Sequence, residues 1–249
     1  MMNTKQYYKD MIEKWIEEEK QRLCGIDSKD RYLQNHGQRF EYLMELCKNL
    51  NPDKSAKILD IGRSGLSVQL AKYYSNVTTL GLDLEIDKGG HRERETIDLK
   101  HIVFDLNESK NVKKWTDEKF DLIVYSEVIE HIYEAPEFSL LFLNYLLNPD
   151  GFIICTTPNA ASFYRRLKLL LGENTISRIR FHNLNPAHYR EYTKDELIQM
   201  AEMCELKVVK HQYICFYDDS DSLKSRIFNF ITNAIPSFRW SQVLILSKK

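Results

Sequence analysis

The sequence lacks long apolar runs and has few cysteines. No stretch approaches the ~18 consecutive apolar residues that a membrane-spanning helix needs, and the first residues lack the apolar core of a secretion signal. Only five of the 249 residues are cysteine, an odd number with no Cys-x-x-Cys pair. This usage excludes a disulfide framework and a cysteine zinc cluster. It predicts reduced thiols and a cytoplasmic protein without a membrane span.

An excess of charge of one sign is also missing. The chain has 35 Lys and Arg residues against 36 Asp and Glu residues, which gives a formal net charge of −1 at pH 7. Proteins that bind nucleic acid usually carry a basic surface, so such binding here would need a local patch. With 43% hydrophobic residues, the chain can bury one full core but is short for two large domains.

The sequence does contain a regular alternation of short apolar segments and amphipathic segments. Residues 1–54 show helical periodicity and are predicted to be an N-terminal helical extension. Residues 55–249 predict an α/β domain with a Rossmann-like, seven-stranded and mostly parallel sheet. The last strand is predicted to be antiparallel, and helices are predicted on both faces. The predicted strands cover residues 57–61, 77–83, 101–105, 120–125, 151–157, 207–216 and 242–247.

Two helical insertions, 158–187 and 219–238, interrupt this alternation. Because ligands bind at the C-terminal ends of strands in such sheets, both insertions are predicted lids. The second could also pack in a homodimer or touch a membrane, and its apolar face favours closure or dimer contact. The first holds a basic cluster that would either bind an anionic group or form a solvated helix face: Arg165, Arg166, Lys168, Arg178 and Arg180.

A strand, a tight turn and a helix start follow one another at residues 57–65, which is the order found at nucleotide-binding corners. Gly62 lets the backbone approach a ligand, and the first N–H groups of a helix point towards it. Asp83 lies 21 positions after Gly62, where a carboxylate at the end of the second strand can bind both ribose hydroxyls. Asp105, after the third strand, has apolar neighbours and suits an adenine ring.

These motifs together resemble the class I S-adenosylmethionine (SAM)-dependent methyltransferases over about residues 55–215. The resemblance implies SAM as the cofactor. The segments that carry it are Ile58–Gly62, Gly81–Asp83, Phe104–Asn107, Phe120–Glu127 and Asn148–Phe152. By resemblance, Asp60, Gly62 and Gly65 would contact the methionine part of SAM. Asp83 would bind the ribose, and Asp105 with Leu106 would contact the adenine. Ser126, at the end of the fourth strand, is also a predicted cofactor-binding residue.

The glycine turn departs from the family pattern. The family usually shows glycine at alternate positions after the acid, whereas here only Gly62 fits. Ser64 and Leu66 occupy the next two positions, and Gly65 is out of register. This departure leaves open a SAM-binding protein without catalytic activity.

The segment Glu127-Val-Ile-Glu130-His131 suggests a metal site. On one helical turn, positions i, i+3 and i+4 share a face, so these three side chains are predicted to converge, with His188 as a fourth ligand from a distant loop. Two carboxylates and two imidazoles suit Mg²⁺, Mn²⁺, Fe²⁺ or Zn²⁺. The pattern is similar to that of ubiquinone-pathway O-methyltransferases and small-RNA 2′-O-methyltransferases. Without a metal, His131 or His188 would be the general base.

The leading hypothesis is a SAM-dependent O-methyltransferase that acts on a small anionic or sugar-linked metabolite, with or without a divalent metal that activates the acceptor oxygen. A metal-dependent RNA 2′-O-methyltransferase is the alternative. The near-neutral charge and the absence of an added RNA-binding module argue against it. A SAM-binding protein without catalysis is the third possibility.

Overall fold

The central strands β1 (Lys57–Ile61) and β4 (Phe120–Ser126) are almost continuous apolar runs that are buried on both faces. Such runs are expected in a parallel sheet covered by helices on both sides. The computed structural model describes residues 4–24, 29–82, 98–179, 187–216 and 223–249. Within these ranges the remaining strands are β2 (Asn76–Gly81), β3 (Lys100–Val103), β5 (Leu147–Pro158), β6 (Leu206–Ile214) and β7 (Ser241–Lys248).

All seven strands join one sheet in the order β3-β2-β1-β4-β5-β7-β6 across the described part of the chain. The pairs among β3, β2, β1, β4 and β5 are parallel. β7 runs antiparallel to both of its neighbours, β5 and β6. The predicted Rossmann-like sheet, mostly parallel with an antiparallel last strand, is therefore confirmed.

Helices cover both faces of the sheet, as predicted. One face packs against α4 (Pro136–Leu146) and α6 (Lys194–Met203), with Leu143 and Leu197 in its core. The other face packs against α2 (Lys29–Leu50) and α3 (Gly65–Tyr73), with Phe40 and Leu70 fully buried. Each such side chain contributes about 1.5–3 kcal/mol by leaving water. The described helices are α1 (Thr4–Cys24), α2 (Lys29–Leu50), α3 (Gly65–Tyr73), α4 (Pro136–Leu146), α5 (Phe163–Leu170), α6 (Lys194–Met203) and α7 (Leu223–Ala234).

The N-terminal segment contains α1 and α2. α2 shares the core of one sheet face with β1 and α3, whereas Tyr8, Ile12 and Trp15 of α1 are exposed. The predicted division into residues 1–54 and 55–249 stays a prediction.

The two predicted insertions contain α5 and α7. Trp240 packs against both helices. Its ring centroid lies 5.3 Å from that of Tyr164 in α5 and 5.7 Å from that of Phe228 in α7. Their predicted role as lids stays a prediction, and residues 180–186 and 217–222 lie outside the described ranges. Among the described helices, none is both long and apolar enough to cross a membrane.

Candidate active site

The turn after β1 joins the C-terminal ends of three strands. Gly62 has a φ of +83°, which favours glycine because a side chain would strain the backbone there. Its N–H donates to Leu80 O at 2.8 Å, and Phe104 N–H donates to Gly81 O at 2.7 Å. Ser64 then caps α3, of which Gly65 is the first residue. The turn therefore brings the start of α3 to the C-terminal edge of the sheet.

Asp60 is buried beneath this turn. Only 2% of the residue is exposed, and its Oδ2 accepts a hydrogen bond from Ser67 Oγ at 2.5 Å. Burial raises the pKa of the Asp60 carboxyl to about 7, although the hydrogen bond from Ser67 works in the opposite direction. The carboxyl thus links β1 to α3. The predicted roles of Asp60, Gly62 and Gly65 beside the methionine part of SAM stay predictions.

The predicted adenine site lies at the end of β3. Asp105 Oδ1 accepts hydrogen bonds from the backbone and side-chain N–H groups of Asn107 at 2.9 and 3.0 Å. Leu106 is 6% exposed and packs in the core on the α4 face. Asn107 Oδ1 also accepts from Tyr133 N–H at 2.9 Å, which links this end to the loop after His131. The cofactor contacts of Asp105 and Leu106 stay predictions, and Asp83, the predicted ribose ligand, lies outside the described residues.

The segment after β4 is not the helical turn that the sequence suggested. Glu127 has a left-handed backbone with a φ of +55°, and a 3₁₀ helix covers only Ile129–His131. The expectation that Glu127, Glu130 and His131 share one helical face is therefore wrong. The reason is tertiary: Glu127 N–H donates to Thr156 O of β5 at 2.9 Å, which turns the chain out of a helical path.

The Glu127 side chain consequently points towards β5 and α2. Its Oε1 accepts from Thr156 Oγ1 at 2.9 Å, and its Oε2 lies 3.5 Å from the Arg39 guanidinium. Thr156 Oγ1 also lies 2.8 Å from the Oγ of Ser126, which ends β4. The cofactor role of Ser126 stays a prediction.

Three of the four predicted metal ligands come together. One ligand atom each of Glu130, His131 and His188 lies within 4.8 Å of the other two, and Glu127 does not belong to this group. The two imidazole rings meet edge to face with centroids 5.0 Å apart. The backbone N–H of Tyr189 donates to Glu130 O at 2.9 Å, which holds the distant loop of His188 against the β4 end.

Glu130 is a buried acid with one satisfied oxygen. The residue is 0% exposed, and its Oε2 accepts from Thr157 Oγ1 at 2.9 Å. Its Oε1 has no hydrogen-bond partner among the described residues. Burial, and next the nearby Glu127 carboxylate, raise the pKa of Glu130 well above its usual range. A buried oxygen without a partner costs free energy, which a bound cation or donor would recover.

Both histidines are oriented through Nδ1. His131 Nδ1 lies 3.0 Å from Ala187 O, and His188 Nδ1 lies 2.8 Å from Glu191 Oε1. A carbonyl or carboxylate oxygen only accepts, so each Nδ1 carries a hydrogen, and in the neutral imidazole Nε2 then carries the lone pair. Histidines that bind metals in proteins are held in this way, and so are histidines that act as bases. Two imidazole nitrogens and the buried Glu130 oxygen therefore fit a divalent cation with open positions.

Sequence reasoning missed several residues that shape the site. Glu191 follows the predicted ligand His188 by three positions. An acid so near a candidate metal-binding histidine could have suggested a carboxylate that accepts a hydrogen bond from the imidazole. Thr157 is an ordinary strand residue, and Arg39 lies on a remote helix. Neither carries a local sequence signal for its contact.

The comparisons with known proteins agree with this architecture. A methyltransferase-domain profile matches residues 35–232, which is most of the chain. The chain belongs to the SAM-dependent methyltransferase family. The ubiquinone biosynthesis O-methyltransferase of Rickettsia bellii is 25% identical over 179 residues, which cover 68% of this chain and 70% of that protein.

Two solved structures show the same fold. A SAM-dependent methyltransferase from Clostridium acetobutylicum has a TM-score of 0.57 and 14% identity, with 86% of this chain and 92% of that chain covered. One from Archaeoglobus fulgidus has a TM-score of 0.53 and 16% identity, with 88% and 99% covered. The methyltransferase-domain profile, together with the curated relatives, confirms the predicted superfamily and the predicted enzyme class.

Proposed function

We propose that this methyltransferase transfers the methyl group to an oxygen of a small anionic or sugar-linked metabolite, with a divalent cation at Glu130, His131 and His188. The observation that carries the proposal is the convergence of these three ligands around a buried Glu130 oxygen that has no partner among the described residues. The curated relatives named as O-methyltransferases support an oxygen acceptor.

Glu130 Oε1 and the Nε2 atoms of His131 and His188 would hold the cation. Glu127, the fourth predicted ligand, instead contacts Thr156 and Arg39. A divalent cation supplies Lewis acidity, which lowers the pKa of a hydroxyl. The two orienting contacts at Nδ1 keep both imidazoles in place before any ligand arrives. Such preorganisation matters because methyl transfer depends mainly on in-line positioning.

Without a cation, the same atoms support general base catalysis. The lone pair at Nε2 of either His131 or His188 can accept the acceptor proton, since Nδ1 already carries a hydrogen in both rings. Both versions of the proposal therefore activate the acceptor oxygen at the same place. The Nε2 atoms would bind the cation in one version and would accept the proton in the other.

The contacts of the basic cluster bear on the charge of the acceptor. The basic cluster was predicted either to bind an anionic group or to form a solvated helix face. In the structure Arg165 pairs with Glu191, and Arg166 donates to Ala161 O at 2.6 Å. Lys168 lies 5.1 Å from the centre of the Tyr164 ring. Residue Arg180 lies outside the described ranges. A small anionic or sugar-linked metabolite stays the proposed class of acceptor, and RNA stays the alternative.

Calorimetry with Mn²⁺ tests the metal site in protein loaded with S-adenosylhomocysteine. We expect one-to-one binding to the wild type, and Glu130→Gln and His188→Ala should weaken it by at least about tenfold. Glu202→Gln alters an exposed carboxylate on α6 and serves as the matched control. Glu127→Gln should keep the binding if three ligands suffice. If the wild type binds no Mn²⁺, the metal proposal fails and the histidine base remains.

A radiolabel-transfer screen tests the acceptor. Incorporation into hydroxylated metabolites would support the proposed class, whereas transfer to RNA with a steep salt dependence would support the alternative. A screen that stays blank while S-adenosylhomocysteine binds would instead favour a SAM-binding protein without activity.

A further inference from the structure

Glu191 is a buried carboxylate on which two donors converge. Its side chain is 2% exposed, and its Oε1 lies 2.8 Å from His188 Nδ1. The same Oε1 accepts a short hydrogen bond from Arg165 Nη2. Its Oε2 has no partner within the described part of the chain. All described bonds of this carboxylate therefore pass through one oxygen, which connects α5 to His188.

The backbone fixes the position of Glu191 on both sides. Before it, the N–H of Tyr189 donates to Glu130 O at 2.9 Å. After it, Tyr192 forms a bridge with Asn159 at the end of β5, and Gln242 Nε2 donates to Tyr192 O at 2.7 Å. A side chain on so constrained a segment has little freedom to follow its partners.

The Arg165 guanidinium balances the buried charge. An isolated buried carboxylate would be expensive, and a guanidinium that donates to it offsets much of that cost. Arg165 lies on α5, and its Nη1 donates a second short hydrogen bond to Thr175 O. The arginine thus ties Glu191 to α5 and to the chain after it.

We propose that Glu191 is a positioning residue that fixes the tautomer and orientation of His188, and that Arg165 holds Glu191 for this purpose. The carboxylate keeps hydrogen on Nδ1 and so leaves the lone pair of the neutral ring on Nε2. The effect of this orientation on cation binding rests on the proposed function. The tautomer of His188 does not depend on that proposal, because it can be measured in the metal-free protein.

The first test records long-range ¹H–¹⁵N spectra of the histidine rings in the metal-free, full-length protein. The His188 signals are assigned by their loss in His188→Gln. We expect the Nδ1–H tautomer in the wild type and in Glu191→Gln, whose amide oxygen can still accept. Glu191→Ala should shift His188 towards the Nε2–H tautomer, while His131, held by Ala187 O, should not change.

The control is Glu202→Ala, which removes an exposed carboxylate and should leave the His188 tautomer as in the wild type. An unchanged His188 tautomer in folded Glu191→Ala would overturn the proposal. If Glu191→Ala does not fold, Arg165→Gln replaces it. That variant keeps the carboxylate but loses its cation, and it should give a mixture of tautomers, whereas a wild-type spectrum would overturn the proposal.

The second test measures Mn²⁺ affinity by calorimetry. Glu191→Ala should weaken binding by about 10–100-fold and leave the affinity for S-adenosylhomocysteine unchanged. Unchanged Mn²⁺ affinity beside a wild type that binds would contradict the proposal. If the wild type itself binds no Mn²⁺, the proposed metal function fails, and the tautomer spectra still decide the role of Glu191.

Discussion

Replacing Asp60 by asparagine should change how stability depends on pH. Asp60 is 2% exposed and accepts a hydrogen bond from Ser67, which an asparagine Oδ1 can also accept. The substitution therefore keeps the size and the hydrogen bond of the side chain but removes its ability to ionise. Any constant cost of burying the amide is the same at every pH, so the pH-dependent part isolates the carboxyl.

The size of the effect follows from the pKa. Burial raises the pKa of Asp60 from 3.8 to about 7 in the folded protein. A raised pKa means that the folded state binds the proton more tightly than the unfolded state. The stability from this group is therefore fully present below about pH 4 and is lost as the pH rises through about 7. At about 1.4 kcal/mol for each pKa unit, the total is roughly 4 kcal/mol, of which about 3 kcal/mol is lost between pH 5 and 8.

Urea denaturation at pH 5 and pH 8 measures this effect. The free energy of unfolding of Asp60→Asn, relative to the wild type, should rise by about 3 kcal/mol between the two pH values. Asp150→Asn, at an exposed carboxylate, should show a difference of less than about 0.5 kcal/mol. A relative stability of Asp60→Asn that stays constant from pH 5 to pH 8 would refute the argument that burial holds the proton on Asp60.

Two pairs of substitutions test the turn and the core by denaturant unfolding. Gly62→Ala should lose about 1–2 kcal/mol because the φ of Gly62 is +83°, whereas Gly37→Ala, inside α2 with open space around it, should gain about 0.5–1 kcal/mol. Equal effects of the two glycine substitutions would contradict the argument that a side chain at position 62 strains the backbone. Leu143→Ala, at a fully buried site, should cost about 2–5 kcal/mol, and Leu170→Ala, at a site that is 82% exposed, less than about 0.5 kcal/mol. Similar losses in both leucine variants would argue against the core described for α4.

The sheet was predictable because its signals are local. β1 covers Lys57–Ile61, as the apolar run and the following turn predicted, and β4 extends the predicted strand by a single residue, Ser126. The start of α6 was also marked locally, since Thr193 and Glu196 form a reciprocal capping box. Patterns of this kind depend on neighbours within a few positions, which the sequence displays directly.

The site was harder to predict because distant contacts shape it. Spacing alone placed Glu127 on a helical turn, but a hydrogen bond to Thr156 of β5 holds it in a left-handed conformation. The carboxylate that orients His188 depends on an arginine 26 positions earlier in the chain. The convergence of Glu130, His131 and His188 could be predicted from residue types, whereas the separation of Glu127 from them required the fold.

The position of β7 sets the order in which the protein can be completed during synthesis. β7 lies between β5 and β6, and β6 joins the sheet through β7. A nascent chain therefore cannot finish its sheet until residues 241–248 have left the ribosome. Until then, β5 and β6 present unpaired edges, which are the surfaces on which strands from other chains add. These edges are therefore the exposed part of the emerging chain, although the helices that cover its first strands are already made.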